Sequence, residues 1–584
     1  MEKNMAGLLL ASMLERIEGG QGIGSVSSLE RAALRIGIEA LGSADLLSPV
    51  LTQVIALIKE EQVDTAPPIN PPVQLPVQAL ADEPVVVAPA LPNNENAAVL
   101  HLPLDLPEPM PSVTLNLTSL KFDAPDSPNL LMCLDFGTAM SKAFAGIAYG
   151  RHFELELGAA AGRSGYLLPS SMFIGDNKKL YFGFEALEKS ERLGNFKRKR
   201  LDSIKSRISQ RRDVLADIDS TELTPDENPS AVKLTHGDMI RLYLAYFTDT
   251  AELALKKYAT TDKPIGRYVR RRYARPCWPD ANQVKVADAK MRQMMEQAQI
   301  LADTFSGQWQ GGIDVRCLKS ALQQVKELSK LPGYLVDAGI PEPVAVAGGV
   351  IYDSKNVRDA YMVVDVGAGT TDFGLFISTR KDADDVKVFQ VGASIQGMMQ
   401  AGDKVDSLLR GFITQKERID SNDTHGDEVI ADLARRIRSL KEILFTTGKL
   451  EYVLSDSTTG KVTKAEFLTD SRVQRFAQAI EDGFTSALAN VSDSWLKWLS
   501  SSPMCLQVVV TGGSAKLDMM QKLSSGIVDV RGYKIQRVAL DHQPSWLEDA
   551  PEALRAIYPQ MAVAIGGTSE EMPETLDAPT HLLR

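Results

Sequence analysis

Leu131-Met132-Cys133-Leu134-Asp135-Phe136-Gly137-Thr138 and Met362-Val363-Val364-Asp365-Val366-Gly367-Ala368-Gly369-Thr370-Thr371-Asp372 share one grammar. Each is a short apolar run, then an aspartate, then a glycine turn closed by a hydroxyl residue. An apolar run of this length reads as a buried strand, and the glycines mark a reversal at its end. Backbone without side chains lets N–H groups approach an anion closely, as in other phosphate-cradling loops. An aspartate at the strand end can hold Mg2+, directly or through water. Two such loops facing each other across a cleft would clamp a nucleotide's phosphates and its metal from both sides. One copy alone is what an ordinary strand-turn junction looks like; two copies in order carry the weight.

A third segment adds to them. Leu506-Gln507-Val508-Val509-Val510-Thr511-Gly512-Gly513-Ser514-Ala515-Lys516-Leu517 is a β-branched strand running into Gly-Gly-Ser, then a helical stretch. The glycines leave bare backbone where a flat ring or a ribose could lie, at a helix N-terminus. The P-loop pattern G-x-x-x-x-G-K-[ST] is not in the chain, which sets that class of ATPase aside.

In this order the three segments resemble the phosphate-1, phosphate-2 and adenosine motifs of the actin and heat-shock-70 ATPase superfamily. The heat-shock-70 (DnaK-type) branch is the nearer likeness, on five further segments. Pro341-Glu342-Pro343 with its apolar continuation resembles the branch's glutamate-proline segment, and Ser203-Ile204-Lys205-Ser206-Arg207 its lysine-bearing segment. Leu168-Pro169-Ser170-Ser171 resembles a threonine-proline-serine strand, and Tyr273-Ala274-Arg275-Pro276 a valine-proline-alanine strand. Tyr558-Pro559 through Gly566-Gly567 resembles the closing helix. The likeness covers about residues 129 to 568.

The resemblance implies an α/β fold of two actin-like lobes, each with a ribonuclease-H-like core, and ATP with Mg2+ between them. Lobe I would span residues 129–360 and lobe II 361–552, with a return helix and tail over 553–584. Asp135 and Asp365 would stand in the magnesium shell. Gly137, Thr138, Gly367, Gly369 and Thr370 would hold the phosphates. Lys205, Glu342, Asp365 and Asp372 would position the γ-phosphate, metal and attacking water. Gly512, Gly513, Ser514 and Lys516 match the base and ribose positions. Arg438 and Lys441, three apart and so on one helix face, match polar residues that contact adenosine; a solvated charged face is the plainer reading of the same spacing. Hydrolysis would then rest on positioning and electrostatics, as in phosphoryl transfer generally.

Some positions depart from the family pattern. After Thr138 the branch has a second hydroxyl and a polar residue, where this chain has Ala139 and Met140. Ala368 replaces a glycine in the second loop. The chain ends seventeen residues after Gly567, where a DnaK-type chaperone would continue into a peptide-binding domain. The expectation is therefore a chaperone-like, nucleotide-gated switch whose protein partners meet the ATPase body or the N-terminal region. An actin-like filament protein and a degenerate nucleotide-binding scaffold are the alternatives.

Outside the ATPase, residues 1–62 read as a small helical unit. Ser27-Ser28-Leu29-Glu30 is a capping-box pattern, and Ser48-Pro49 a second helix start. Residues 63–128 read as a linker: twelve of the chain's 30 prolines lie between Pro67 and Pro111, which disfavours helix and central strand alike. A net charge of −11 argues against a general nucleic-acid coat. Local basic clusters, Lys197-Arg198-Lys199-Arg200, Arg207, Arg211-Arg212 and Arg267 to Arg275, keep a local patch open. Cys133, Cys277, Cys317 and Cys505 are far apart, with no C-x-x-C pair, which fits a reducing compartment and a cytoplasmic setting. Met5 to Leu14 has the length of a signal-peptide core without the flanking pattern.

Overall fold

The computed structural model describes residues 110–576 and 578, except 148–149, 194–197, 210–217, 262–263, 279–280, 352–356, 381–385, 421 and 541–542. The chain divides into two units at Leu102/Pro103, and the described residues belong to the second. The helices expected within 1–62, the proline-rich stretch to 109, Lys197 and Arg211-Arg212 lie outside the described residues. Among the described residues no helix is long and apolar enough to cross a membrane.

The described unit is mixed α/β. Its first part carries strands β1 (Leu130–Asp135), β2 (Met140–Ile147), β3 (His152–Phe153), β4 (Leu168–Pro169), β5 (Met172–Ile174), β6 (Lys179–Phe182), β7 (Arg270–Arg275), β8 (Ile313–Asp314) and β9 (Ile340–Pro341). Its second part carries β10 (Arg358–Val366), β11 (Thr371–Arg380), β12 (Val386–Gln390), β13 (Gln396–Met398), β14 (Lys449–Val453), β15 (Thr459–Thr463), β16 (Leu506–Thr511), β17 (Gly526–Val530), β18 (Tyr533–Ala539) and β19 (Glu574–Thr575).

One strand order occurs twice. The six-stranded sheet runs β3-β2-β1-β7-β9, and the eight-stranded sheet contains β12-β11-β10-β16-β18. In both, an antiparallel hairpin (β1–β2, β10–β11) is flanked by parallel strands reached through crossovers. All six residues of β1 are buried, as are all of β10 after Arg358. That is why both read as unbroken apolar runs: a strand covered on both faces has no solvent side to alternate with.

Each sheet has its own core. Met132, Leu134, Leu242, Met294 and Leu318 belong to the first, and Met362, Val364, Leu433, Phe476 and Trp495 to the second. A third cluster joins the two, with Phe144 from β2, Tyr361 and Val363 from β10, and Val346 and Met561 from helices Glu342–Val350 and Tyr558–Gly566. These helices cross so closely that a Cβ on Gly566 would come 1.9 Å from the Ala345 carbonyl oxygen. A glycine is required there. The return helix thus packs against both halves of the fold, and the apolar side chains it buries tie them together.

Residues 110–128, expected as the end of the linker, are instead docked. Gln324 Nε2 donates to the Val113 carbonyl at 2.9 Å, Tyr334 OH to the Ser119 carbonyl at 2.9 Å, and the Tyr268 backbone N–H to Asp126 Oδ2 at 3.0 Å. Val113, Leu115 and Leu120 pack against the first core. The proline density that disfavours pairing fades after Pro111, and alternate apolar residues supply a buried face.

Candidate functional site

The two hairpins turn over at the same place. A Cβ on Gly137 would lie 2.0 Å from the Met140 carbonyl oxygen, so only glycine fits the first turn. In the second, the Gly367 N–H donates to the Thr370 carbonyl at 2.9 Å. The turns meet: a Cβ on Gly369 would stand 2.7 Å from Thr138 Oγ1. Two segments more than two hundred residues apart in sequence are thereby brought to van der Waals contact.

Four buried carboxylates gather around this junction: Asp135, Glu342, Asp365 and Asp372. Asp135 accepts from Lys142 Nζ at 2.7 Å. Glu342, in the first turn of its helix, accepts from Lys205 Nζ at 2.5 Å. Asp372 accepts from the Cys277 backbone N–H at 2.7 Å. Asp365 Oδ1 has no hydrogen-bond partner among the described residues, although it is buried.

The electrostatics follow from that crowding. Burial, then the charges of Glu342 and Asp135, hold the Asp365 carboxyl well above the usual carboxylate range. Burial and Glu342 push Asp372 up to about 7, against the Cys277 hydrogen bond that favours its charge. Burial works to lower Lys205, but Glu342 and Asp135 outweigh it and hold the ammonium above its ordinary value. Each shift reports the same imbalance: more negative than positive charge in a water-poor space.

The third glycine segment closes the junction from the side. Gly512 has φ +93, and a Cβ there would meet the Val366 carbonyl oxygen at 2.4 Å. Ser514 Oγ donates to the Gly367 carbonyl at 3.1 Å and its N–H to the Val366 carbonyl at 3.0 Å. The space above the Gly513 α-carbon is open, with nothing within 4 Å of a Cβ placed there. The expected helix N-terminus is not at this point. A four-residue helix begins only at Asp518, because Ala515 and Leu517 are held in turns by the Gly512 and Ser514 carbonyls. Lys516 is exposed, and no contact among the described residues brings it to the junction.

Arg438 and Lys441 do share a face of the helix Thr424–Thr447, but that face is ion-paired rather than solvated. Arg438 reaches Asp403 at 3.2 Å, and Lys441 reaches Asp406 at 2.8 Å. Both acids lie on the helix Gly402–Lys416, whose start is pinned to the second turn by Gly402 N–H to the Gly367 carbonyl (3.2 Å) and Asp403 N–H to the Ala368 carbonyl (2.7 Å). Ser203 Oγ donates to Asp403 Oδ2 at 2.9 Å, so the segment carrying Lys205 touches this helix as well.

The basic cluster at Arg267 to Arg275 is committed internally. Arg267 pairs with Asp249, Glu252 and Asp303, Arg271 with Glu252, and Arg270 with Glu570. Arg272 donates to the carbonyls of Gly567 and Ser569 at 3.0 and 2.8 Å. Arg275 lies over the Trp278 ring. A cation neutralised inside the fold is not offered to a phosphate backbone.

Sequence reasoning missed Lys142, Asp403 and the serine pair behind the first turn. Ser170 Oγ donates to the Gly137 carbonyl at 2.7 Å, and Ser141 Oγ lies 2.9 Å from Ser170 Oγ. Hairpin register held the signal for Lys142, since it stands directly opposite Asp135. Among the described residues no group of three or more His, Cys, Asp or Glu side chains is set to hold a metal ion. A scan of the chain against protein-family models finds no match.

Proposed function

We propose that this chain binds Mg-ATP between two lobes of an actin-like fold and acts as a nucleotide-gated switch of heat-shock-70 type with slow hydrolysis. The observation that carries the reading is the contact of the two aspartate-tipped glycine turns, Gly369 against Thr138, with the orphaned Asp365 Oδ1 beside it. The repeated strand order supports the two lobes, and the shared helix pair supports a pivot between them.

In this reading Asp365 and Asp135 face the metal, which when bound supplies charge neutralisation for the phosphates. The turn N–H groups and Thr138 and Thr370 hold phosphate oxygens. Lys205, locked by Glu342, presents a fixed cation, and Asp372 orients water through its second oxygen. Gly513 offers bare backbone to base or ribose. A ligand that binds better when the lobes are closed shifts them toward closure, and a partner reading the closed surface senses it.

The test is calorimetric titration of the full chain with Mg-ATP and Mg-ADP, together with sedimentation velocity in each state. Saturable binding that Asp365→Ala removes, with a small species whose shape changes, is the expected result. Absence of binding would sink the nucleotide reading. Fast-sedimenting polymer with ATP alone would replace the switch with a filament protein.

A further inference from the structure

Among the described residues, strand β17 is a free edge of the eight-stranded sheet, paired with β18 alone. Arg531 (φ 53) and Gly532 (φ 85) make the two-residue turn between them, which Val530 and Tyr533 close. Antiparallel pairs alternate from there, so Ile527 and Asp529 turn their backbone N–H and C=O groups to the open edge. Side chains alternate too: Ile527 and Asp529 are exposed, while Val528 and Val530 are buried. On the outer face Ile527 is 63% exposed and its diagonal neighbour Val538 44%. The inner face carries Arg537, directly opposite Gly526. Arg537 is only 6% exposed, yet its Nε and Nη1 have no hydrogen-bond partner among the described residues. Its guanidinium lies over the Phe484 ring at 5.4 Å, and Glu481, the acid whose charge reaches it, is exposed on the helix Ser471–Ala489. Nη2 comes up under the exposed Gly526: a Cβ there would lie 3.8 Å from it, with nothing else within 4 Å. A buried cation without an acceptor is costly, and an anion brought to it removes that cost.

We propose that the β17 edge docks an extended segment of a partner protein, which adds as a further strand and sets a carboxylate beside Gly526 on Arg537. Backbone pairing to Ile527 and Asp529 supplies affinity, and the alternate side chains supply specificity. The inward side chain of the added strand opposite Gly526 is the acid, which accepts from Nη2. Its outward neighbours are apolar and cover Ile527. Glycine at 526 leaves the carboxylate its path, because a side chain there would stand in front of Nη2. A second copy of the chain does not answer this need. Its own β17 would turn Gly526, Val528 and Val530 to the inner face, and none of them is an acid. None of these residues belongs to the glycine-turn junction, so the docking stands apart from the nucleotide reading.

The probe is a fluorescein-labelled peptide of alternating pattern, Lys-Val-Thr-Val-Glu-Val-Thr-Lys, with a counterpart carrying Gln for Glu. Each is titrated with the full-length protein and followed by fluorescence anisotropy. The glutamate peptide should bind saturably and about tenfold to a hundredfold tighter than the glutamine peptide, the difference a charge-assisted hydrogen bond makes. Arg537→Gln should erase that ratio, and Arg537→Lys should restore only part of it, since an ammonium lacks the planar fork. An arginine that only packs on Phe484 would weaken both peptides alike on substitution and leave their ratio intact, which overturns the proposal. Wild type that binds neither peptide, or both equally, overturns it as well. Ile527→Pro removes an outward N–H from an exposed edge residue and should abolish binding with Arg537 in place, which serves where Arg537→Gln does not fold. Unimpaired binding by Ile527→Pro would overturn the strand addition. Self-association of wild type that Ile527→Pro abolishes, without peptide binding, would give the edge to a second copy and overturn the partner.

Discussion

The two hairpins differ by one residue where they matter most. In the first, Asp135 stands opposite Lys142; in the second, Asp365 stands opposite Asp372. Both pairs are seven residues apart in sequence, on the same strand-turn-strand frame. The first hairpin neutralises its aspartate with its own lysine. The second sets two carboxylates face to face in a buried place, an arrangement that costs stability when both are charged. Repeated topology therefore supplies two equivalent positions, and one cross-strand partner gives them opposite electrostatics. The second hairpin is the one left with an excess of negative charge.

The largest expected effect tests that asymmetry directly. Asp365→Asn should lower phosphate release by about a hundredfold to a thousandfold, as removal of a transition-state contact does. Asp135→Asn should cost only about tenfold, because Lys142 keeps its place and its charge. Equal losses in a steady-state assay would break the comparison.

Next come the turns. Gly137→Ala forces a Cβ against the Met140 backbone oxygen and should destabilise by about 3 kcal/mol or more, since backbone cannot give way cheaply. Gly369→Ala meets a side chain, Thr138, and should cost about 1–2 kcal/mol, much of it relieved by Thr138→Ala, which removes both Oγ1 and Cγ2. Denaturant midpoints of the single and double variants measure both. Failure of the double variant to recover would mean the turns are not in contact.

A smaller effect lies in pH. Asp372 is raised in the folded state to about 7 from a usual value of 3.8. The stability it confers is full below the usual value and is lost as pH rises through about 7. The melting temperature of protein held in chelator should thus fall between about pH 4 and pH 7, and Asp372→Asn should flatten that slope. A slope unchanged in the variant would assign it to other groups. Smallest of all, Lys516→Ala should leave stability within about 0.5 kcal/mol and nucleotide affinity unaltered, as its side chain is exposed.

Much of the site was legible because its signals are local. An apolar run, an aspartate and a glycine turn are one stretch of chain, and each step follows from sterics and burial within it. Asp135, Gly137, Asp365, Gly367 and Gly369 were readable on that ground. Lys205, Glu342 and Asp372 needed a resemblance, since nothing in Ser203-Ile204-Lys205 itself says that it meets a glutamate 137 residues away. Asp403 carried no signal at all. Its place depends on a helix start docking against the Gly367 and Ala368 carbonyls, a contact between distant segments. The Arg267 to Arg275 cluster could only be left open in the sequence, for the converse reason: charge is visible there, while the buried Asp249, Glu252 and Asp303 that consume it are not adjacent.

Taken alone, then, the sequence determined where strands end in aspartate, where only glycine can turn, and that the turn occurs twice. Local backbone geometry suffices for those. The tertiary structure alone decided that the two turns touch, that Lys142 answers Asp135 while Asp365 meets another acid, and that Lys516 stays outside. Those outcomes depend on long-range packing and on the sum of many charges in a low-dielectric space, which no single stretch of chain encodes.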